Sequence, residues 1–386
     1  MSIRPVQLDL VRTAIPMRGF EHAAASRDVA EAIVVRVAFS DGTSGWGETL
    51  PRPYVTGETL ETVPADLEET LWPALREADF QDVGRALAGI PVEGPAGRCL
   101  NAAACAVDLA CADGLLRRRG LAALADLAAG RPPTPRIAAR VSGVLGSGDP
   151  RRTARRLRQM RWFGLRDFKL KLGLGRDVDE ENLRVVGKAI GKAVAAGRCT
   201  LRVDVNGGWD LDTTPERVAA LKPLGVCAVE QPVFCAAAAL ADLARRCELP
   251  LLADESLLTD RDARCLLAEP HRVWWNVRLS KNGGLTRAAA LTRLAAQAGV
   301  TVVVGCMVGE SSLLSAAQRR LLQVAGAVRF VEGNYGRFLL KDDLTVRSLR
   351  FGYGGRLTVP AAAGLGATVA PAKLAAYGTA VRVLRA

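Results

Sequence analysis

Short apolar runs alternate with amphipathic segments from residue 136 onward. Eight of these runs have the length and composition of buried strands, and the segments between them have the apolar spacing of helices. The β-like runs lie at 137–144, 167–172, 200–205, 226–230, 250–254, 273–280, 301–305 and 328–332. The helical segments include 178–197, 214–224, 234–247, 285–298 and 310–325. Eight successive β–α units predict a parallel (β/α)8-type barrel, because the core strands of such a barrel need not alternate apolar and polar residues.

The first 130 residues follow a different pattern, with apolar runs at 6–14 and 32–39 that predict strands. The polar stretch 18–31 between them predicts a mobile loop, and SDGTSG at 40–45 predicts a hairpin turn before a third strand. Helical patterns follow at 57–90 and 98–129. The second helix has Ala, Leu and Cys at its inward positions, which is typical of packing against another helix.

Three prolines, at 132, 133 and 135, mark a linker between these two patterns. We therefore expect an α/β protein with an N-terminal α+β domain at 1–133 and the barrel at 134–346. The Gly- and Pro-rich segment 347–386 is expected to fold back onto the first domain.

The composition predicts a globular protein, since 49% of the 386 residues are hydrophobic and 24% are charged. No apolar run reaches the ~20 uncharged residues that cross a bilayer, and the amino terminus lacks the apolar segment of a signal peptide. We therefore expect a cytoplasmic protein without a membrane partner.

The nine cysteines contain no CxxC pair, which predicts reduced thiols. Two histidines are too few for a multi-histidine zinc site.

The net charge of +12 raises the question of nucleic-acid binding. The densest basic stretch, RRTARRLRQMR at 151–161, has the spacing of the solvated face of a helix, and aromatic residues make up only 5% of the chain. Without aromatic side chains between the arginines there is no stacking platform for bases. We expect no nucleic-acid partner, and we expect the positive charge to attract anionic substrates.

Five consecutive β-like runs end in ionisable residues. Lys169 and Lys171 end the second run, and Lys281 ends the sixth. The three runs between them end in carboxylates, at Asp204, Glu230 and Asp254. Because the carboxyl ends of barrel strands converge on one rim, these groups are expected to form an active site.

Three neighbouring carboxylates cannot all stay ionised without a counterion. Oxygen ligands without Cys or His favour Mg²⁺, with Mn²⁺ as the alternative. A lysine beside a divalent ion and a second lysine has a depressed pKa and can act as a base. Such a site suits removal of a proton next to a carboxylate. Glu255, which follows Asp254, is expected to pair with Lys281.

The order K-x-K, D-x-N, E, D-E, K on strands two to six resembles the enolase superfamily, and within it the muconate lactonizing enzyme subgroup. The segments GTSGWGET at 42–49, PRPYVTGET at 51–59, AAACAVDLACAD at 102–113 and GLG at 364–366 are similar to the capping domain and carboxyl-terminal return of that family. The resemblance implies metal ligands at Asp204, Glu230 and Asp254. It implies acid–base lysines at Lys171 and Lys281, with Lys169 assisting.

The resemblance also implies a small carboxylate substrate and a capping loop that covers the pocket. Candidate substrate contacts are Asn206, Phe20, His22, Met307, Glu310 and Glu332. Glu310 fits a pocket group and a helix N-terminal carboxylate equally well. The eighth strand ends FVEGNYG, without the Asp-x-Asp that dipeptide epimerases of this subgroup carry.

Cycloisomerisation, racemisation or epimerisation, and β-elimination all stay open, and the name of the subgroup favours cycloisomerisation. N-acylamino acid racemase and o-succinylbenzoate synthase activities are alternatives. A metal-stabilised binding protein without turnover is the alternative outside enzymes, and the intact lysines and carboxylates disfavour it. We expect a homo-oligomer, as is common for such barrels.

Overall fold

The computed structural model describes residues 2–22, 25–128, 130–146 and 148–386, and of residues 19–22, 25–27 and Val83 it describes the backbone alone. Two sheets organise this chain. One has four antiparallel strands, β1 (Pro5–His22), β2 (Ala25–Phe39), β3 (Ser44–Thr49) and β12 (Gly378–Arg385), in the order β12-β1-β2-β3. Because β12 pairs with β1, the C-terminal segment returns to the N-terminal domain, as predicted.

The prediction of a loop at 18–31 is wrong for the described residues 18–22 and 25–31. Strands β1 and β2 continue into this stretch, where Phe20 pairs with Arg27 in the backbone register. Polar side chains do not prevent a strand whose backbone groups are bonded to a neighbouring strand.

Six α-helices complete the N-terminal domain: α1 (Pro53–Thr56), α2 (Thr62–Asp66), α3 (Trp72–Glu77), α4 (Val83–Ala88), α5 (Asn101–Arg119) and α6 (Ala122–Leu127). A π-helical turn, Leu67–Leu71, joins α2 to α3. Helix α5 packs mainly on β3, and it also contacts other helices, among them α6 and α12, as its small inward residues predicted. The approach is so close that a Cβ on Gly47 would collide with the carbonyl oxygen of Ala106 and lie 2.8 Å from the amide nitrogen of Ala110.

The second sheet has eight parallel strands in chain order: β4 (Gly143–Leu145), β5 (Asp167–Lys171), β6 (Thr200–Asp204), β7 (Val226–Glu230), β8 (Leu251–Ala253), β9 (Val273–Val277), β10 (Val302–Val304) and β11 (Phe330–Val331). A parallel bridge between Val141 and Val331 joins the first strand region to the last. The sheet therefore curls into the predicted barrel.

Helices connect the barrel strands and cover their outer face: α7 (Pro150–Trp162), α8 (Arg176–Ala195), α9 (Thr214–Leu221), α10 (Ala237–Arg246), α11 (Asp260–Leu266), α12 (Leu285–Gln297) and α13 (Ser312–Val324). A last helix, α14 (Pro371–Tyr377), lies against β1 and β12.

Two carboxylates of the N-terminal domain hold the first turns of two barrel helices. Glu48 on β3 accepts hydrogen bonds from the backbone amides of Ser311 and Leu314 at α13. Asp108 on α5 accepts from the amides of Leu285 and Thr286 at α12. Both carboxylates are buried, and each satisfies amides that the helix itself leaves unpaired.

Across the described part of the chain, no helix has the length and apolar character needed to cross a membrane. The nine cysteines are free thiols, as predicted.

Candidate active site

The three predicted metal ligands lie side by side at one rim of the barrel. Asp204 ends β6, Glu230 ends β7, and Asp254 directly follows β8. Asp204 is opposite Glu230 in the strand register and opposite Lys171 on β5. All three carboxylates are completely buried. The parallel strands thus place them together, because each stands where its strand ends.

Lysine side chains contact this cluster from two sides. Lys169 Nζ lies 3.1 Å from Asp204 Oδ2, 3.2 Å from Glu230 Oε2 and 2.8 Å from Glu332 Oε2. Lys171 Nζ lies 3.2 Å from Asp204 Oδ2 and donates a 2.7 Å hydrogen bond to Asn206 Oδ1.

On the far side, Lys281 Nζ lies 3.1 Å from Asp254 Oδ1 and donates to the carbonyl oxygens of Asp254 and Asn276. The expected pairing of Glu255 with Lys281 is not formed. Both carboxylate oxygens of Glu255 are buried, and neither has a hydrogen-bond partner among the described residues.

Two arginines that the sequence analysis missed complete the cluster. Arg278 contacts the carboxylate of Asp254 and lies 3.4 Å from Glu230 Oε1, and Arg202 pairs with Glu332. Arg202 stands two residues before Asp204 on β6, so the alternation of side chains along a strand points both the same way. That spacing is a signal from which Arg202 could have been predicted.

Within this cluster the charges balance. Five carboxylates, Asp204, Glu230, Asp254, Glu255 and Glu332, face five cations, Lys169, Lys171, Arg202, Arg278 and Lys281. Most of these groups are completely buried. Each can therefore stay ionised only while an oppositely charged partner lies beside it, because an unpaired buried charge is strongly destabilising.

The lysines differ in their tendency to hold a proton. Burial alone lowers the pKa of Lys169, but Glu230, Glu332 and Asp204 together raise it well above its ordinary value. Burial lowers the pKa of Lys281, and Asp254 only partly offsets this. Lys169 is therefore held as a cation, whereas Lys281 releases its proton more readily.

A divalent cation fits this site by donor chemistry, since the side chains at the ends of β6, β7 and β8 offer carboxylate and amide oxygens and no Cys or His. The buried oxygens of Glu255 and of the Asn276 side chain have no hydrogen-bond partner among the described residues, so they are acceptors that a cation or its bound water could satisfy. As the side chains stand, no three acidic, His or Cys residues of the described ranges are arranged to hold a metal ion. Lys169 and Arg278 explain this, because each contacts two of the carboxylates.

A cavity of about 670 Å³ opens at this rim. Its lining includes most of the predicted catalytic and substrate-binding residues, namely Lys169, Lys171, Asn206, Met307, Glu310 and Glu332, and also Arg278. Lys281 is completely buried and does not line the cavity; Asp254 contacts Lys281 through one oxygen and Arg278 through the other. The side chains of Phe20 and His22 lie outside the described part of the structure.

The contacts of Glu310 bear on its two predicted roles. The side chain of Ser311 and the carboxylate of Glu48 hold the amides that begin α13. Glu310 instead accepts a 2.6 Å hydrogen bond from the amide of Met307 and lines the cavity. The geometry thus favours the pocket group. Burial raises the pKa of Glu310 to about 8, so its neutral form predominates at pH 7.

We expect the substitution Glu310→Gln to stabilise the protein at high pH. The pKa of Glu310 falls from about 8 in the folded chain to its ordinary value of 4.5 on unfolding, so the folded state binds more protons between these pH values. The contribution of protonated Glu310 to the free energy of unfolding is therefore fully present below pH 4.5. It is lost as the pH rises to about 8. At pH 9, Glu310→Gln should raise the free energy of unfolding by about 4–5 kcal/mol, measured by urea denaturation.

The matched control for this experiment is Glu216→Gln, at an exposed position on α9. Its difference from the wild type should be the same at pH 5 and pH 9. A Glu310→Gln variant whose difference is equally flat would contradict the assignment of a neutral Glu310.

Comparisons with known proteins agree with this architecture. The family model described as "Enolase C-terminal domain-like" matches residues 151–373. The L-Lys-D/L-Arg epimerase of Methylococcus capsulatus is 30% identical over 347 residues, 86% of this chain and 90% of the relative. Muconate cycloisomerase 1-2 of Acinetobacter lwoffii is 28% identical over 382 residues, 96% of this chain and 94% of the relative.

A solved structure shows the same fold over the full length. The crystal structure of N-succinyl Arg/Lys racemase from Bacillus cereus superimposes with a TM-score of 0.83 at 25% identity, covering 99% of this chain and 100% of the other. The resemblance noted in the sequence is thereby confirmed. The chain belongs to the enolase C-terminal domain-like family and is, with its relatives, an isomerase of the enolase superfamily.

Proposed function

We propose that this enzyme removes the proton on the carbon next to a carboxylate of a small acid, and returns a proton to give a racemised or epimerised product. One observation carries the proposal. Two buried lysines, Lys171 and Lys281, belong to β5 and to the turn after β9, and both contact one cluster of carboxylates. Strands four places apart in an eight-stranded barrel lie on opposite sides, so the lysines can serve opposite faces of a substrate.

A divalent cation is part of this proposal. Asp204, Glu230 and Asp254 would hold Mg²⁺, or Mn²⁺, at the strand ends. When bound, such a cation supplies positive charge that stabilises the negative charge developing on the substrate carboxylate. Lys169, kept protonated by its three carboxylate neighbours, adds fixed positive charge beside them.

The lysines then divide the proton transfers. Lys281 has the lowered pKa and can accept a proton on one side, and Lys171, held by Asn206 and Asp204, can deliver one on the other. This role requires Lys281 to reach the cavity. A movement of Arg278 away from Asp254 would open that route, because Asp254 contacts both side chains.

Cycloisomerisation is the second candidate, and a specific observation favours it. Lys171 lines the cavity and Lys281 does not. A reaction that needs one base could therefore use Lys171 alone. The similarity to a muconate cycloisomerase over 96% of the chain supports this alternative.

The geometry also bears on the substrate. Glu332 stands at the strand end where a dipeptide ammonium would need a free carboxylate, but it is paired with both Lys169 and Arg202. An N-acylated amino acid that carries no free ammonium group therefore suits this site better than a dipeptide, which has a charged terminal amine.

Hydrogen–deuterium exchange tests the proposal. N-acylamino acids and muconates are incubated with the enzyme and Mg²⁺ in D₂O and followed by proton NMR and chiral chromatography. Racemisation predicts deuterium at the α-carbon in both enantiomers, whereas cycloisomerisation predicts a lactone and no racemised acid. If none of these acids is deuterated or converted, the proposed chemistry is wrong.

Removal of divalent metal should abolish the reaction and lower the thermal stability. A cation that binds only the folded state raises the free energy of unfolding by about 2.7 kcal/mol at a hundred times its Kd. Calorimetry of chelator-treated enzyme should therefore show a melting temperature that rises with Mg²⁺. The rise should vanish in Asp254→Asn and persist in Asp212→Asn, which changes an exposed carboxylate. A melting temperature that Mg²⁺ leaves unchanged in the wild type would contradict the metal site.

A further inference from the structure

Three residues at the rim of the barrel have a left-handed backbone although none of them is glycine. Asn206, Gln231 and Asn334 have φ values of 47°, 33° and 56°. Each follows a carboxylate of the charged cluster by one or two residues. Asparagine tolerates this conformation better than glutamine does, and strained backbone persists only where its surroundings hold it. At Gln231, the contacts that hold it lead to the predicted metal ligands.

The backbone of Gln231 joins β8 to the loop that follows β6. Its amide donates a 3.0 Å hydrogen bond to the carbonyl oxygen of Leu252 on β8, and its carbonyl oxygen accepts a 2.7 Å bond from the amide of Gly207. Gln231 itself follows Glu230 at the end of β7. One residue thus connects the ends of the three strands that carry the predicted metal ligands.

The side chain of Gln231 holds the backbone on which Asp254 stands. It is completely buried, and its Oε1 accepts hydrogen bonds from the amides of Asp254 at 2.9 Å and Ser256 at 3.1 Å. Its Nε2 donates to the carbonyl oxygen of Val233 at 2.8 Å and to Ser256 Oγ at 2.7 Å. Turning the amide over would set two backbone N–H groups against its NH₂, so the side chain has one orientation. Because β8 ends at Ala253, these bonds fix the chain where strand pairing stops.

Asp254 carries this support into the charged cluster. Its carboxylate contacts Lys281 through one oxygen and Arg278 through the other, and its carbonyl oxygen accepts a 2.6 Å hydrogen bond from Lys281 Nζ. Gln231 is not among the described residues that line the cavity. It therefore acts on the site through Asp254 and not through contact with a substrate.

We propose that Gln231 is a positioning residue, which holds Asp254 in place for the divalent cation and for Lys281. The side-chain amide fixes the backbone of Asp254, and the left-handed backbone of Gln231 directs that amide from β7 towards β8. This inference rests on the proposed function, which makes Asp254 a metal ligand. Hydrogen bonds that orient a metal ligand commonly contribute about ten- to a hundredfold to metal affinity.

Isothermal titration calorimetry with Mg²⁺ tests this role without a substrate. Gln231→Met has a side chain of similar length without the amide, and it should weaken Mg²⁺ binding by about ten- to a hundredfold. Gln231→Gly suits the left-handed backbone, so it should fold even if the methionine variant does not, and it should show the same loss. The dissociation constant is the readout, because misfolded protein lowers the stoichiometry and leaves the constant of the folded fraction unchanged.

Two further variants separate positioning from a general loss of structure. Gln231→Glu keeps an oxygen for the amides of Asp254 and Ser256, so it should recover most of the affinity that Gln231→Met loses. Gln323→Met changes another buried glutamine, which donates to the carbonyl oxygen of Thr134 and lies outside the described cavity lining. This variant should melt at a lower temperature but bind Mg²⁺ as the wild type does.

Wild-type affinity in both Gln231→Met and Gln231→Gly would overturn the inference, and so would an equal loss in Gln323→Met. Deuterium exchange by the wild type separates this failure from failure of the proposed function. Exchange together with unchanged Mg²⁺ affinity in the variants would leave the proton chemistry standing and reject the role of Gln231. Weakened Mg²⁺ binding in the variants without exchange of any acid would do the reverse. A wild type that binds no Mg²⁺ would reject both.

Discussion

The substitution Lys171→Ala should lower the rate of α-deuteration of one enantiomer by about a thousandfold, because it removes a positioned acid–base group from the cavity. Lys281→Ala should have an effect of similar size if the two lysines serve opposite faces of the substrate. In that case each variant loses exchange from one enantiomer and retains part of the exchange from the other. The measurement is proton NMR of separate D- and L-acids in D₂O.

The controls separate proton transfer from charge. Lys171→Arg and Lys281→Arg keep the positive charge but not a readily deprotonated amine, so both should be as inactive as the alanine variants. Lys188→Ala, at an exposed position of α8, should exchange at the wild-type rate. Full exchange of both enantiomers in Lys281→Ala would show that Lys281 is not a base and would reject the assignment of the two lysines to opposite faces of the substrate.

The substitution Gly47→Ala should destabilise the protein by at least about 3 kcal/mol, or prevent folding altogether. Its added methyl group would meet the backbone of Ala106 and Ala110 on α5, and neither atom belongs to a side chain that can turn away. Because α5 is buried along nearly its whole length, the helix can retreat only by opening the core of the N-terminal domain. Urea denaturation followed by circular dichroism measures the loss.

A glycine elsewhere in the chain gives the matched comparison. Gly187 lies within α8, and a Cβ there would have no atom within 4 Å. Gly187→Ala should therefore stabilise the protein by about 0.5–1 kcal/mol, because alanine loses less backbone freedom in a helix. A Gly47→Ala variant as stable as Gly187→Ala would show that β3 and α5 are not in the close contact described.

The sequence was most informative where a side chain ends a strand. Asp204 and Glu230 could be assigned to one rim because β–α units of regular length return each strand to the same end of the barrel. Arg278 could not be assigned in this way, since it lies in the turn after β9 and its partners come from other strands. Its contact with Glu230 and Asp254 depends on the closure of the barrel, which no local pattern contains.

Local patterns also misled where tertiary pairing decides the structure. Residues 18–22 and 25–31 belong to a polar stretch, but they continue two paired strands. Arg152 and Arg156 belong to a helix that resembles a solvated one, yet both line the cavity, to which Arg18 of the N-terminal domain also contributes. In both cases the missing information is which other part of the chain lies alongside.

The carboxylates of Glu48 and Asp108 bear on how enzymes of this kind could be recombined. Each belongs to the N-terminal domain, yet each holds the start of a barrel helix, α13 or α12. A chimera that joins this barrel to the N-terminal domain of a relative would keep those helix starts only if the donor carries an acidic side chain at both places. Exchange of the N-terminal domain between relatives is therefore constrained by two residues that do not line the cavity.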